Sequence, residues 1–414
     1  MKVRLTPPDE IIETKVSRLP LSKSVAARVM LMHAMTRGAR ALDVERLPAC
    51  DDTRVLAVAL ARGEGDIDVA DCGTAARFLT AFFAVREGVK VTLNGSERLR
   101  QRPVGPLVDA LKSLGADIEY MGKPGFLPLE IKGKRLAGGA VKLDATASSQ
   151  FASALAMIAP TMEKPLKIDL GGEIASMPYL KMTLAMLEAR GVESAREGYT
   201  ITVQNTPYRD AAMEAEPDWS AASYWYELAG VTAGWFTLPG LRKPSLQGDS
   251  ILAEIGERFG VVTEFTPGGV ELSATPDLYS RLDMDMADYP DLVPAIAVTG
   301  CLINIPYRLT GVTNLRIKES DRLAVLASEL RRCGWILEIG PDYIEWEGAA
   351  MPVREMPEMD SHGDHRLAMA FAAIAAFVPG ITIDRAEAVE KSYPGFWDDL
   401  RDAGFIVEYI EEQQ

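Results

Sequence analysis

Apolar positions along this chain recur at two alternating periods. Runs of helical period stop at a glycine and give way to strand-period alternation. The run 107–114 stops at Gly115 before the strand pattern 116–120, and 181–190 stops at Gly191 ahead of a strand pair that includes 199–203. The run 251–259 stops at Gly260 before 261–265, 323–333 at Gly334 before 335–339, and 396–403 at Gly404 before 405–410. Glycine at these positions suits the left-handed backbone that ends a helix. From Gly115 onward the glycines lie roughly seventy residues apart, and 53–62 followed by Gly63 is a weaker earlier copy. The spacing predicts about six units, each of two helices and several strands. That is an α/β (α+β) chain, and at 414 residues it is long enough for two domains. The polar, Pro-bounded segment 210–217 is the expected crossing between them.

Charge narrows the partners. The formal net charge is −15, which argues against nucleic acid or an anionic membrane as a general partner. Local cation clusters can still hold a small anion. Cys50, Cys72, Cys301 and Cys333 form no C-x-x-C pair and read as reduced thiols, so a cytoplasmic setting is expected. The N-terminal segment lacks the apolar run of a signal peptide. The most apolar stretches, 292–305 and 367–378, are too short or too interrupted to span a bilayer.

The densest charge lies in Asn314-Leu-Arg-Ile-Lys-Glu-Ser-Asp-Arg-Leu323. A helix is expected from near Ser320 to Gly334, with Leu323, Leu326, Ala327 and Leu330 inward. Lys318 and Arg322 then fall at its positive end, four apart, where cations are unfavourable. An anion between them would explain the placement; a salt-bridged surface turn would also account for it. The arrangement recurs, however. Lys23 and Arg28 open an apolar helix running through Met35, and Gly73, Thr74 and Arg77 precede the apolar run 78–85. Arg98, Arg100 and Arg102 precede a helix expected over 104–114, with Pro103 as its first residue. Asp364, His365 and Arg366 open 367–377, Asp364 being the expected cap. Five cationic helix starts point to an oligoanionic ligand held by several helix ends.

The acid-rich segment 283–291 admits several readings. It suits an edge strand with a polar face, and Asp291 suits a cap for a helix over 292–298. Asp291 paired with Glu319 would instead supply acid–base chemistry in a cation-lined cleft. Neither common phosphate-binding glycine loop is present, and no G-x-S-x-G turn supports a serine nucleophile. His362 and His365 are three apart, but the chain has three histidines and His33 sits inside an apolar run, so no metal site is expected.

Taken in order, Ser22-Lys-Ser-Val with Arg28, Gly73-Thr with Arg77, Arg102-Pro, Ser148-Ser-Gln150, Ser176 with Pro-Tyr179, Asp218 with Ala-Ser-Tyr224, Asp283-Met-Asp-Met with Asp291, Lys318-Glu-Ser-Asp-Arg322, Asp364-His-Arg366 and Lys391 form one set. The set closely resembles the EPSP synthase (3-phosphoshikimate 1-carboxyvinyltransferase) family of enolpyruvyl transferases, from about residue 19 to 396. The resemblance implies two domains, each of three β-α-β-α-β-β repeats in an inside-out α/β barrel, with the site in the cleft. The inserted domain would span 20–216, and 1–19 with 217–414 would form the second, joined by a double crossover.

The implied reaction moves the enolpyruvyl group of phosphoenolpyruvate to the 5-hydroxyl of shikimate 3-phosphate and releases phosphate. Lys23, Ser24, Arg28, Ser148, Ser149, Gln150, Ser176, Tyr179, Asp291, Asn314 and Lys318 would hold shikimate 3-phosphate. Lys23, Gly73, Arg102, Gln150, Arg322, Arg366 and Lys391 would hold phosphoenolpyruvate. Asp291, Glu319 and Lys23 would carry the chemistry. No metal or organic cofactor is implied, and a monomer acting on small molecules is expected.

Both ligands carry phosphate and carboxylate groups, which Arg forks and Lys point charges suit. Departures from the family pattern are Asp71-Cys72 where Asn-Ala is usual, Phe78 for Pro, Leu21 for Gly and Gly363 for Asn. The sister family, UDP-N-acetylglucosamine 1-carboxyvinyltransferase, typically carries a reactive Cys in the loop matching 95–102, and this loop has none. A non-catalytic anion- or RNA-binding relative would want a basic, aromatic-studded face.

Overall fold

The computed structural model describes residues 1–42, 46–145, 148–212, 214–353 and 358–410. The chain divides into two compact units, residues 1–22 with 216–414 (unit 1) and residues 23–215 (unit 2). Within the segment 210–217, Met213 lies outside the described residues.

The described residues contain five four-stranded sheets, all with one topology. In unit 2, Gly65–Asp68 runs parallel to Lys90–Asn94, which is antiparallel to Leu129–Lys132, with Asp117–Tyr120 beyond it. Gly139–Lys142, Leu166–Asp169, Thr200–Val203 and Ser194–Glu197 repeat this order. In unit 1 it recurs in Glu13–Lys15, Trp235–Pro239, Gly269–Ala274 and Val261–Thr266, and in Leu282–Asp285, Tyr307–Thr310, Tyr343–Trp346 and Glu338–Ile339. The last sheet places Lys2–Thr6 between Ile381–Asp384 and Ile406–Ile410, antiparallel to both, with Glu358–Asp360 at the edge. The beginning of the chain thus completes its final repeat.

A parallel strand pair needs a crossover, and a helix supplies it in each repeat. The helices are α1 (Lys23–Met35), α2 (Asp51–Arg62), α3 (Gly73–Ala84), α4 (Gly105–Ser113), α5 (Ser149–Ile158) and α6 (Met177–Ala189) in unit 2. Unit 1 holds α7 (Trp219–Thr232), α8 (Leu252–Arg258), α9 (Val293–Leu302), α10 (Arg322–Arg332), α11 (His365–Ala372) and α12 (Phe396–Asp402). Odd-numbered α1 to α11 are apolar nearly all round, the mark of a helix enclosed on every side. Every residue of α9 and of α11 is buried. In unit 1, α7, α9 and α11 pack on one another, as α1, α3 and α5 do in unit 2. By contrast α2 and α10 bury a single stripe: Leu56 and Ala59 in one, Leu323, Leu326 and Leu330 in the other.

The six terminating glycines all take positive φ, from 72° at Gly260 to 98° at Gly334. Some expectations need correction. The sixth unit, expected around 53–62, keeps α1 and α2 but no sheet among the described residues. In the stretch 36–50 between them, residues 43–45 lie outside the described residues, and the rest forms no strand. Helix α4 starts at Gly105 with Pro106 in its first turn, not at Pro103. Helix α6 starts at Met177, well before 181. The expected strand 335–339 is reduced to Glu338–Ile339. Among the described residues no helix is long and apolar enough to cross a membrane.

Inside unit 1 the segments on either side of unit 2 are fastened together. The Ser22 amide donates to the Glu216 carbonyl at 2.7 Å and the Asp218 amide to the Pro20 carbonyl at 2.9 Å. Gln247 locks this edge, donating to the Glu216 carboxylate at 3.1 Å and to the Pro217 carbonyl at 2.7 Å.

One buried group opposes the packing of unit 1. Glu227, in the middle of α7, is 2% exposed, and neither carboxylate oxygen has a hydrogen-bond partner. It borders a cavity of about 10 Å³ lined in part by Ser223 and Thr299, about the space of one water. Burial alone drives its pKa well above the usual carboxylate value. The folded state therefore holds the neutral acid, and stability falls as pH rises above the unfolded group's value near 4.5. Glu227→Met should raise the urea-unfolding free energy at pH 8 by about 1–3 kcal/mol, with a smaller gain at pH 5. A loss at pH 8 would show that the carboxyl is satisfied.

Candidate active site

The sequence-predicted residues of unit 2 gather at the starts of its helices. Lys23, the first residue of α1, reaches the Asp52 carboxylate in α2 at 3.0 Å. One turn beyond Ser24, Arg28 is 2% exposed. Its guanidinium donates to Thr183 Oγ1 at 2.7 Å, the Ser24 carbonyl at 2.7 Å, the Tyr179 carbonyl at 3.1 Å and Ser153 Oγ at 3.4 Å. It also lies 5.3 Å from the centre of the Phe78 ring, a cation–π distance. Every one of these partners is neutral. Burial therefore pushes Arg28 down to about 10, with Tyr179 acting in the opposite sense. A cation held this way is complementary to an anion.

The neighbouring starts supply donors without acids. Ser148 caps α5, its hydroxyl accepting from the Gln150 amide at 3.2 Å, and Ser149 is the first helical residue. The Gln150 side chain donates to Thr74 Oγ1 at 3.0 Å, tying α5 to α3. Ser176, preceding α6, takes φ 61°, a left-handed conformation rare for a residue with a Cβ and typical of functional segments. Gly73 opens α3 beneath two guanidinium groups: a Cβ there would stand 2.5 Å from Arg77 Nη1 and 2.8 Å from Arg102 Nη1. Any side chain there would push one or both guanidinium groups aside. Arg102 follows the short 3-10 turn Leu99–Gln101.

Unit 1 is arranged oppositely, with arginines enclosed by acids. Arg322, the first residue of α10, is 1% exposed. Its Nε and Nη2 donate to Asp364 at 2.8 and 3.3 Å, Nη1 to Asp291 at 3.1 Å, and Nη2 also to Glu319 at 3.0 Å. Burial works against its charge, yet Asp364, Glu319 and Asp291 outweigh burial and raise its pKa. Arg366 donates to the other oxygen of Asp291 at 2.8 Å. Asp364 caps α11 through the Arg366 amide and accepts from Ser320 Oγ at 3.2 Å. Asn314 lies in the 3-10 turn Thr313–Ile317, its Oδ1 buried without a partner. Lys318 closes that turn, and Lys391 ends the 3-10 segment Ala386–Lys391.

Several readings change. Lys318 lies three residues before the Asp321 cap of α10, so it and Arg322 are not helical i,i+4 neighbours. Asp291 does not cap α9, whose first turn has no side-chain cap; the two arginines claim both its oxygens. Asp283 is an edge-strand residue paired with Arg281 at 2.7 Å, outside this cluster. His365 is buried in the first turn of α11, whereas His362 is exposed beside Asp360 and Glu329. Sequence reasoning missed Asp52, Thr183 and Ser153, and saw Asp364 only as a cap. Isolated Ser, Thr or Asp residues within amphipathic runs carry no local sign of a distant arginine.

The sequence profile of EPSP synthase (3-phosphoshikimate 1-carboxyvinyltransferase) matches residues 62–400. The chain belongs to the EPSP synthase family. A 3-phosphoshikimate 1-carboxyvinyltransferase of Bacteroides fragilis is 42% identical over 416 aligned residues, covering all of both chains. One from Methanospirillum hungatei is 36% identical, covering 92% of this chain and 94% of that protein. The solved EPSP synthase of Acinetobacter baumannii shares the fold, with TM-score 0.76 at 21% identity over 99% of this chain and 100% of that one.

Against the EPSP synthase pattern, three of the four departures now have local explanations, and nothing in the structure explains Leu21. Phe78 gives Arg28 its aromatic face. Gly363 takes φ 71°, a conformation that suits either Gly or Asn. Asp71 is exposed, its carboxylate accepting from the Ser96 hydroxyl, and the Cys72 thiol caps α3 by accepting from the Ala75 amide at 3.4 Å.

The neutral shell of Arg28 makes a testable claim. Inorganic phosphate at 50 mM should raise the thermal midpoint of the parent by about 2 °C or more over sodium chloride of equal ionic strength, by mass action on the folded state. Arg28→Met should lose most of that gain. An equal gain in both would mean that Arg28 does not face the anion.

Proposed function

We propose that this chain is an enolpyruvyl transferase that joins phosphoenolpyruvate to the 5-hydroxyl of shikimate 3-phosphate, forming 5-enolpyruvylshikimate 3-phosphate and phosphate. That is the activity its full-length relatives are named for, a step of the shikimate pathway to aromatic amino acids. The sister enzyme's acceptor is disfavoured, since the 95–102 loop has no cysteine. In this reading the two units are the two domains. The protein works in the cytoplasm as a monomer on small molecules, without nucleic acid.

Ser24, Arg28, Ser148, Ser149, Gln150, Ser176, Tyr179, Asn314 and Lys318 are assigned to shikimate 3-phosphate with Asp291. Gly73, Arg102, Gln150, Arg322, Arg366 and Lys391 are assigned to phosphoenolpyruvate. Lys23 serves both ligands and stabilises the departing phosphate. The observation that carries the chemistry is the shared guanidinium of Arg322, which holds Asp291 at 3.1 Å and Glu319 at 3.0 Å. The reaction needs two proton transfers at neighbouring atoms, and one rigid fork orients two carboxylates for them. Asp291 orients and deprotonates the 5-hydroxyl as its oxygen attacks, and passes that proton on to the phosphate as it departs. Glu319, which must take up a proton as the substrates bind, delivers it to the methylene carbon, giving a tetrahedral adduct, and takes one back from the same carbon as phosphate leaves.

A phosphate-release assay with each acceptor tests the assignment: turnover is expected with shikimate 3-phosphate and not with UDP-N-acetylglucosamine, and the reverse preference would overturn it. Asp291→Asn and Glu319→Gln should each lower kcat about 10²–10⁴-fold. Binding of shikimate 3-phosphate should weaken more in Asp291→Asn. In heavy water, Glu319→Gln should slow deuterium entry into the methylene far more than it weakens binding. Near-parental exchange in that variant would assign the carbon proton to another group.

A further inference from the structure

A buried carboxylate that the assigned chemistry does not use gathers three segments of unit 1. Asp399, in the middle of α12, is 2% exposed. Its Oδ1 accepts from the Ser17 amide at 3.2 Å, the Ser17 hydroxyl at 3.1 Å and Nη1 of Arg18 at 3.2 Å. The Arg18 amide donates to both carboxylate oxygens at 3.1 Å, and the Tyr393 hydroxyl donates to Oδ2 at 2.6 Å. That hydroxyl in turn accepts from the Trp225 indole of α7 at 3.2 Å. Both segments held by Asp399 lead to a lysine assigned to phosphoenolpyruvate. Ser17 and Arg18 precede Pro20 and Ser22, which are fastened to Asp218 and Glu216, and α1 begins at the next residue, Lys23. Tyr393 is fully buried and lies two residues past Lys391; the Ser392 and Tyr393 amides close the turn between them by donating to the Val389 carbonyl at 3.0 and 2.7 Å. Helix α12 also grips the start of that segment, where the Trp397 indole donates to the Ala386 carbonyl at 3.0 Å.

We propose that Asp399 is a positioning residue for Lys391: through the Tyr393 hydroxyl it sets the turn that carries this lysine, using the backbone of the segment before Lys23 as its anchor. A buried carboxylate needs donors for its lone pairs, and displacing one leaves an oxygen stranded. Here the donors come from the backbone of one segment and the phenol of another, so neither segment can shift without breaking bonds to the same carboxylate. The side chain of Lys391 is half-buried and flexible, and a fixed backbone two residues away narrows where its amine can reach. Naming phosphoenolpyruvate as the anion that this amine meets rests on the function proposed above.

The test breaks the link from either side. Tyr393→Phe keeps the ring and removes the hydroxyl; Asp399→Asn keeps an acceptor for the Ser17 and Arg18 amides and loses the second carboxylate oxygen. Each should raise the KM for phosphoenolpyruvate about three- to tenfold, the worth of one hydrogen bond, and the two together no more than either alone. The KM for shikimate 3-phosphate, to which Lys391 is not assigned, and kcat should both stay within about twofold of the parent. In a Lys391→Met background, Tyr393→Phe should leave the KM for phosphoenolpyruvate unchanged, whereas a merely structural tyrosine would disturb it equally in both backgrounds. A KM that rises alike for both substrates, or an undiminished effect without Lys391, overturns the proposal. Labelling with acetic anhydride, read by peptide mass spectrometry, follows the same link without turnover. Relative to the exposed Lys167, Lys391 should acetylate about twofold faster or more in Tyr393→Phe, because a loosened turn opens the amine to reagent. An unchanged labelling ratio also overturns the proposal. A parent that releases no phosphate refutes the assigned reaction instead, and the labelling ratio then decides the role of Asp399 on its own.

Discussion

A buried guanidinium organises unit 1. Removing Arg322 from water is expensive, and only well-formed ion pairs that satisfy its donors offset that expense. Asp364, Asp291 and Glu319 do so from three segments that are distant in sequence: the cap of α11, the approach to α9 and the approach to α10. Because one planar fork fixes all three, the positions of α9, α10 and α11 and the orientation of two candidate proton-transfer groups become a single constraint.

Unit 2 meets the same demand by the reverse arrangement. Arg28 is as deeply buried as Arg322, yet hydroxyls, carbonyls and an aromatic face surround it instead of acids. Neutral dipoles orient a cation without consuming its charge, so the positive potential persists for a ligand. The two units share a repeat but differ in what surrounds their buried arginines: neutral dipoles around Arg28, carboxylates around Arg322.

The repeat was legible because helix period, terminating glycine and strand period each have a local cause. The glycine at 334 or 404 must take positive φ, whatever packs around it. Helix starts were less legible: Pro106, not Pro103, enters the first turn of α4, because the preceding arginines are drawn into a short 3-10 turn. Helices alone did not reveal that the described residues of the sixth unit hold no sheet, since 53–62 reads as a repeat helix whether or not strands accompany it. The site residues were legible as a constellation of types. Their partners were not, because nothing near Arg322 in sequence announces Asp364, and nothing near Lys23 announces Asp52. Tertiary ion pairs leave no periodic trace.

The dependence of unit 1 on the Arg322 fork can be measured most directly by a double-mutant cycle with Asp364, followed by urea unfolding at pH 7. Asn at 364 still caps α11, so the cycle isolates the charge. The account predicts that Arg322→Gln alone costs about 3–5 kcal/mol, because it strands buried carboxylates. Adding Asp364→Asn should return about 1–3 kcal/mol of that as coupling. A single-variant loss under about 1 kcal/mol, the worth of an exposed pair, together with strictly additive changes, would contradict it.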